Sequence, residues 1–231
     1  MIGFGAIVLA GGLGTRLRSV AGDLPKPMVP VGGRPFLAHV MDHLVDGGID
    51  TVSLAVGYRA EVIRSYFGDT YRGMRVMYSQ EERQLGTGGA IAKAVAGLPF
   101  DRIAVVNGDT LFEIELKALY AFHRDAGADV TIAVRAVGDM SRYGGVILDQ
   151  KQRVRGFLEK GAGGPGIVNG GTYIIERGAL SRSVAREVFS FEKEILEARV
   201  EQMRVFAMRS DAYFIDIGIP EDYRRACEEL A

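Results

Sequence analysis

The sequence predicts an α/β fold: a doubly wound, mixed but mostly parallel sheet flanked by helices. Three observations predict it. Over roughly residues 1–135, short apolar runs alternate with helical stretches four or five times, the pattern of parallel strands joined by crossover helices. A glycine cluster at 11–14 and the Asn-Gly-Asp turn at 107–109 stand where such runs end, and open α/β sheets bind ligands in the crevice at the carboxyl ends of their strands. The 231 residues are 48% hydrophobic and 25% charged, an ordinary globular balance, and enough chain to bury a core without covalent staples.

Residues 5–10, GAIVLA, form an apolar run ending in glycines, as a buried strand does when it feeds a loop. Residues 35–47 carry Phe36, Leu37, Val40, Met41 and Leu44 at helical spacing, stopped by Gly47 and Gly48. A strand over 51–56, a helix over 60–67 and an alternating strand over 74–79 follow. Next come a helix over 87–96, a strand over 103–106 ending in Asn-Gly-Asp, a helix over 116–125 and a strand over 129–135. The remainder reads as strands at 143–148, 154–159, 167–176, 204–208 and 212–217. Helices fall at 190–200, capped by Ser190, and at 220–230, with Pro220 in the first turn. No composition break or linker separates the halves, so they are expected to form one domain over 1–231, with the second half completing or covering the same sheet. No short repeat occurs, which excludes a β-helical extension.

Composition excludes several function classes. The formal net charge is −1, which removes the bulk electrostatic case for nucleic acid or an anionic membrane. The one cysteine, Cys227, allows no intrachain disulfide and no cysteine-based zinc site. No apolar run approaches the ~20 residues that span a bilayer. The first twelve residues lack a basic n-region and read as strand and turn, so the cytoplasm is the expected location. His39 and His43 could share a helix face, but no third metal ligand stands near them, so an ordinary helix surface is expected.

The chemistry-bearing signal begins with Leu9-Ala10-Gly11-Gly12-Leu13-Gly14-Thr15-Arg16-Leu17. Three glycines let backbone N–H groups approach an anion, and Arg16 adds a planar fork suited to phosphate oxygens. Leu17 stands where a dinucleotide fingerprint needs a small residue, and no Gly-Lys-Ser/Thr follows as in a P-loop. Ten residues on, Leu24-Pro25-Lys26-Pro27-Met28 brackets one of only 6 lysines between prolines, which would hold it in an extended loop able to return to the same phosphates. Asp109 ends a strand pattern and is well placed for Mg²⁺, although Asn-Gly-Asp alone is a common turn. Asp216 lies between Ile215 and Ile217, an odd place for a carboxylate unless it is paired, binds metal or faces solvent.

Taken together, LAGGxGTRL followed by LPKPM resembles the signature of the sugar-1-phosphate nucleotidyltransferases, and later landmarks of that family appear in order along the whole chain. The resemblance implies a Rossmann-like sheet of the nucleotide-diphospho-sugar transferase type. It places the nucleotide part at about 1–135 and the sugar-phosphate part at about 136–231. Leu9, Ala10, Gly11, Gly12, Gly14, Thr15, Glu81, Gly86, Thr87, Gly88 and Asn107 would bind the nucleotide. By the same resemblance the stretch 85–90, LGTGGA, would read the base, and Glu81 and Glu82 stand just upstream, where a carboxylate could accept from guanine. Gly144, Glu159, Lys160, Asn169 and Gly170 would hold the sugar phosphate, although Gly145 replaces the family's usual valine. Asp109 and Asp216 would be the Mg²⁺ ligands, and Arg16 and Lys26 the catalytic cations.

The implied reaction joins a nucleoside triphosphate to a sugar 1-phosphate and releases pyrophosphate. It needs alignment and charge neutralisation rather than a protein nucleophile. Residues 17–28, 81–91, 107–110, 142–144 and 213–223 are most similar to members that use GTP and a heptose 1-phosphate. The heptose itself has no physical signature, since one hydroxymethyl unit leaves no readable mark. Mannose 1-phosphate with GTP, or glucose 1-phosphate with UTP or dTTP, remain alternatives. A non-catalytic sensor would not need both aspartates, and a nicotinamide oxidoreductase would need an acidic residue after a second strand where a Pro/Gly loop, 29–34, stands instead. A homodimer is expected by analogy alone.

Overall fold

The computed structural model describes residues 5–12, 14, 17, 22–159, 161, 163–181 and 186–231. In chain order its strands are β1 (Gly5–Leu9), β2 (Pro30–Val31), β3 (Arg34–Pro35), β4 (Thr51–Val56), β5 (Thr70–Tyr71), β6 (Met74–Gln80) and β7 (Arg102–Asn107). There follow β8 (Thr110–Phe112), β9 (Val130–Val137), β10 (Gly145–Leu148), β11 (Val154–Leu158), β12 (Gly166–Glu176), β13 (Val205–Arg209) and β14 (Phe214–Asp216). The α-helices described are α1 (Phe36–Asp46), α2 (Ala60–Phe67), α3 (Gly86–Val95), α4 (Leu116–Asp125), α5 (Arg177–Ser181) and α6 (Pro220–Glu229).

The main sheet runs β11-β10-β12-β7-β1-β4-β6-β5, with β9 pairing β12 and β13. Its centre is parallel: β1 pairs β4 and β7, and β4 pairs β6. The chain therefore winds outward from β1 through β4 to β6, then returns to the other side of β1 as β7. That reversal opens the crevice expected at a switch point, at the carboxyl ends of β1 and β7. The second half completes the sheet as expected: β12 adds antiparallel to β7 and pairs antiparallel with β9 and β10.

Alternation along the central strands feeds two cores. Ala6, Val8, Ala104 and Val106 face α1 and α2, in a core with Phe36, Met41, Leu44 and Ile63. Ile7, Ile103 and Val105 face the other way, in a core with Ile91, Tyr173, Phe191 and Ile195. Both faces of the sheet are thus covered, which is why its central strands read as unbroken apolar runs. Helix α1 stops where its sequence says it must: Gly47 N–H bonds back to His43 O at 2.9 Å, and Gly48 takes φ +84°.

Two local expectations are corrected. Lys26 is not in an extended loop. Residues Lys26–Met28 form a 3₁₀ turn, with Met28 N–H donating to Pro25 O at 2.7 Å, and Lys26 is buried. Pro25 supplies the extended entry (φ −57°, ψ 138°), and Pro27 has the fixed φ that a 3₁₀ turn accepts. The helix after Ser190 is a π-helix over Phe191–Glu197, a distinction that helical spacing of apolar residues does not carry. Ser190 does cap it, accepting from Lys193 N. Among the described residues, no helix is long and apolar enough to cross a membrane.

Candidate active site

A cleft of about 430 Å³ opens at the carboxyl ends of β1 and β7. Leu9, Gly11, Gly12, Gly14, Leu17, Lys26 and Pro27 line one wall, and Glu81, Gln84, Gly86, Thr87 and Ala90 the other. Asn107, Asp109 and Gly218 form its end. Leu9 and Asn107 are register partners, and Gly108 N–H donates to Leu9 O at 2.9 Å, so the glycine loop and the Asp109 turn are fixed to each other. Gly14 has φ +59°, and a Cβ there would lie 2.7 Å from Lys26 Cβ. The loop can close over the lysine stem only because residue 14 has no side chain.

The two aspartates meet. Strand β8 pairs antiparallel with β14, placing Thr110 opposite Asp216, and Ile217 N–H donates to Asp109 O at 3.0 Å. Lys26 Nζ lies 2.5 Å from Asp109 Oδ2 and 3.9 Å from Asp216 Oδ1. Ile215 and Ile217 are fully buried while the Asp216 carboxyl is one-third exposed, so alternation turns only the acid toward Lys26, beside the residues that line the cleft. Burial raises the Asp216 carboxyl above its usual value, the neighbouring Asp109 charge pushes the same way, and Lys26 and the Gly218 N–H oppose them.

Two carboxylates already holding one cation between them suit a divalent ion. Magnesium takes one or two carboxylates and fills its other positions with substrate phosphates and water. The donor set fits that pattern, and no larger cluster of three or more potential metal ligands occurs among the described residues. The histidines belong elsewhere: His39 bonds Arg34 and Val31 O at 3.0 Å each, and burial holds the His43 imidazole below its usual range.

Across the cleft from Lys26, Glu81 touches two segments of the lining. Its Oε2 accepts from Leu85 N–H at 3.0 Å, and its Oε1 lies against Gly11, where a Cβ would come within 2.9 Å. The glycines that open α3 serve packing more than ligand access. A Cβ on Gly88 would lie 2.2 Å from the Phe189 ring, and Phe189 O accepts from Gly88 N–H at 3.0 Å. The Thr87 hydroxyl is also committed, donating to Glu192 Oε2 at 2.5 Å and accepting from Phe191 N–H at 2.9 Å. Ala10 lies buried below the cleft, its N–H bonded to Ala55 O.

Of the residues expected to hold the sugar phosphate, the described ones lie beside this cleft rather than among its lining. Gly145 pairs with both Leu158 and Val168, so the next residues outward in that register are Gly144, Glu159 and Asn169. Gly170 packs on Phe112 of β8, and Gly171 on Asn107, which brings this end of β12 alongside the Asp109 turn. Asn169 is already bonded at both ends of its amide, to Tyr173 OH at 2.8 Å and Gly171 N–H at 2.9 Å. Thr15, Arg16 and Lys160 lie outside the described residues. Sequence reasoning placed Leu17 and Pro27 in motifs without giving them a site role, and did not single out Gln84, Ala90 or Gly218. For Gly218 a signal existed: it sits two residues past Asp216 and donates its N–H to that carboxylate at 2.7 Å.

A glycine-lined crevice at a switch point, with a buried lysine and two aspartates at one end, defines a site for joining phosphate-bearing substrates. The chain belongs to the nucleotidyl transferase family, which it matches over residues 5–231. It is 45% identical over 225 residues to the D-glycero-α-D-manno-heptose 1-phosphate guanylyltransferase of Aneurinibacillus thermoaerophilus, covering 97% of each chain. The crystal structure of HddC from Yersinia pseudotuberculosis, also solved complexed with GMP-PN, superposes with a TM-score of 0.88 at 39% identity over 99% of this chain and 100% of that one. The mannose-1-phosphate guanylyltransferase of Mycobacterium tuberculosis is 38% identical over 97% of this chain, which spans 64% of that longer protein.

Proposed function

We propose that this chain transfers a guanylyl group from GTP to D-glycero-D-manno-heptose 1-phosphate, giving GDP-heptose and pyrophosphate for a bacterial surface polysaccharide such as a capsule, in the cytoplasm. The observation that carries the chemistry is the meeting of Lys26, Asp109 and Asp216 at the end of a glycine-lined cleft. The end-to-end similarity to a heptose 1-phosphate guanylyltransferase supports the choice of substrates.

A phosphate oxygen of the sugar 1-phosphate attacks the GTP α-phosphorus, the new P–O bond forms in line, and the bond to the β-phosphate breaks. The attacking oxygen is already ionised, so no residue has to remove a proton. What the site must supply is alignment of two anions and compensation of their charge. The glycine-loop N–H groups and Arg16 hold the departing pyrophosphate, and Lys26 faces the charge that develops between nucleotide and sugar phosphate. Asp109 and Asp216 would hold a magnesium ion, which when bound neutralises charge at the α-phosphate. Glu81 and the start of α3 position the base. Gly144, Glu159, Lys160, Asn169 and Gly170 orient the sugar phosphate, dividing the chain into a nucleotide part at about 1–135 and an acceptor part at about 136–231. A homodimer is the assembly expected by analogy, and light scattering tests it.

Pyrophosphate release from GTP, ATP, UTP and dTTP, each with heptose, mannose and glucose 1-phosphates, tests the reading. GTP with the heptose is expected to turn over fastest. Faster turnover with mannose 1-phosphate would move the assignment to that sugar, and no turnover with any pair would remove it.

A further inference from the structure

The strongest unassigned feature is an ion pair that ties helix α6 to the segment before β10. Asp222, in the first turn of α6, has only 4% of its side chain exposed. Arg142 lays both terminal nitrogens on its carboxylate, Nη1 donating to Oδ1 at 3.1 Å and Nη2 to Oδ2. Arg225 approaches the same Oδ1 from the helix itself, at 3.5 Å. An acid in a first helical turn is favourable, but exposed Glu221 already supplies one there. A side chain buried only for packing would cost less as an apolar group. What the carboxylate adds is direction: two oxygens facing a planar fork fix where the arginine can lie.

The two partners stand beside two different parts of the site. Helix α6 follows the Asp216 turn directly: Gly218 N–H bonds the Asp216 carboxylate at 2.7 Å, and Pro220 opens the helix two residues later. Arg142 stands two residues before Gly144. Next to it, Ser141 O accepts from Gly161 N–H at 3.1 Å, and Gly145 pairs with Leu158. The segment 141–145 therefore holds Leu158 and Gly161, which flank Glu159 and Lys160 in the sequence. Ring contacts run alongside the ion pair. Arg142 Cζ lies 5.7 Å from the centre of the Tyr143 ring, and Tyr143 meets Phe214, two residues before Asp216, at 5.9 Å.

We propose that Asp222 is a positioning residue: by gripping Arg142 it fixes the 141–145 segment, and with it Gly144 and Glu159 of the proposed sugar-phosphate site, relative to the Asp216 turn. This rests on the proposed guanylyl transfer. Asp222 need not touch substrate. It sets where the attacking phosphate lies relative to the nucleotide, and misplacement by about 1 Å can cost ~10²-fold in rate.

Steady-state kinetics of Asp222→Asn, Arg142→Gln and the double variant, each checked for folding by its melting curve, test it with GTP and the heptose 1-phosphate. Each single variant is expected to raise KM for the sugar 1-phosphate by about tenfold and to lower kcat by a similar factor. KM for GTP should stay within about twofold, a split that general destabilisation does not produce. Both changes break one pair, so the double variant should lie within about twofold of the worse single one instead of multiplying the two effects. Arg142 is 42% exposed, so Arg142→Gln is expected to fold even where Asp222→Asn does not, and it then decides alone. In folded Arg142→Gln, a KM for the sugar 1-phosphate within about twofold of wild type would overturn the proposal, as would equal rises in both KM values or multiplied effects in the double variant. Those results beside an active wild type leave guanylyl transfer standing. A wild type inactive with every nucleoside triphosphate and sugar 1-phosphate removes that reading, and this role with it.

Discussion

The Lys26 ammonium sits 2.5 Å from the Asp109 carboxylate, buried at the floor of the cleft, with Asp216 3.9 Å from the same nitrogen. A lysine held this way has lost most of its rotamer freedom before any substrate arrives, so its charge is preorganised at the floor of the cleft, as the proposed transfer requires. Replacing it removes that charge and leaves two carboxylates facing each other. Lys26→Ala and Arg16→Ala are each expected to lower kcat by about 10²–10³. Pyrophosphate release at saturating substrates measures this, and near-wild-type turnover in a folded Arg16→Ala variant would remove that residue's role.

The aspartates should answer differently. Asp216→Asn keeps the Gly218 N–H bond available but halves the anionic pair. A divalent ion held by two carboxylates plus substrate phosphates then loses one charged ligand. The magnesium concentration giving half-maximal rate should rise at least about tenfold in Asp109→Asn and Asp216→Asn, and excess chelator should abolish wild-type turnover. Unchanged metal dependence in both variants would show that the pair serves only to hold Lys26.

Much of this arrangement was legible in the sequence, for identifiable reasons. The segments Thr51–Val56, Ala60–Phe67 and Leu116–Asp125 fold with the boundaries their patterns predict, because each is either buried on both faces or closed by a residue that ends it. Asp216 could be nominated because an acid between two isoleucines is costly without a purpose, and Asp109 because it stands at the carboxyl end of a strand and in the motif that the resemblance covers. The two-residue strands β2, β3 and β5 are too short to show a period, and the 3₁₀ turn at Lys26 follows from a hydrogen bond rather than a pattern. Glu192 was invisible for another reason: its partner Thr87 lies 105 residues away, and only the folded sheet brings them together.

Gly88 offers a test of why the stretch after Leu85 needs glycine. If the base required that bare backbone, a methyl group there would weaken GTP binding and leave the fold intact. The structure points to packing instead, since the added Cβ would lie 2.2 Å from the Phe189 ring. Gly88→Ala is expected to cost about 1–3 kcal/mol of stability through that overlap. Gly88→Ala with Phe189→Leu should recover part of the loss. Urea unfolding of the two variants measures it, and a fully stable Gly88→Ala that binds GTP weakly would return the glycine to the base site.

His123 makes a prediction about pH far from the cleft. It is fully buried on α4, with Nδ1 2.9 Å from Thr131 Oγ1 and Nε2 3.5 Å from Glu176 Oε1. Burial lowers its pKa to about 4; Glu176 and Asp129 resist that shift, and Arg102 adds to it. The folded protein therefore keeps this imidazole neutral where an unfolded chain, with a value near 6.5, binds a proton. Its contribution to stability is complete above about pH 6.5 and is lost as pH falls toward about 4, with a slope of at most ~1.4 kcal/mol per pH unit and a total of roughly 3 kcal/mol. His123→Gln can keep a bond to Thr131 but cannot titrate. Unfolding free energies measured across that window should fall more steeply for the wild type than for the variant, with the two curves parallel above about pH 7. Parallel curves throughout would mean that His123 titrates alike in the folded and unfolded chain and that burial does not hold it neutral.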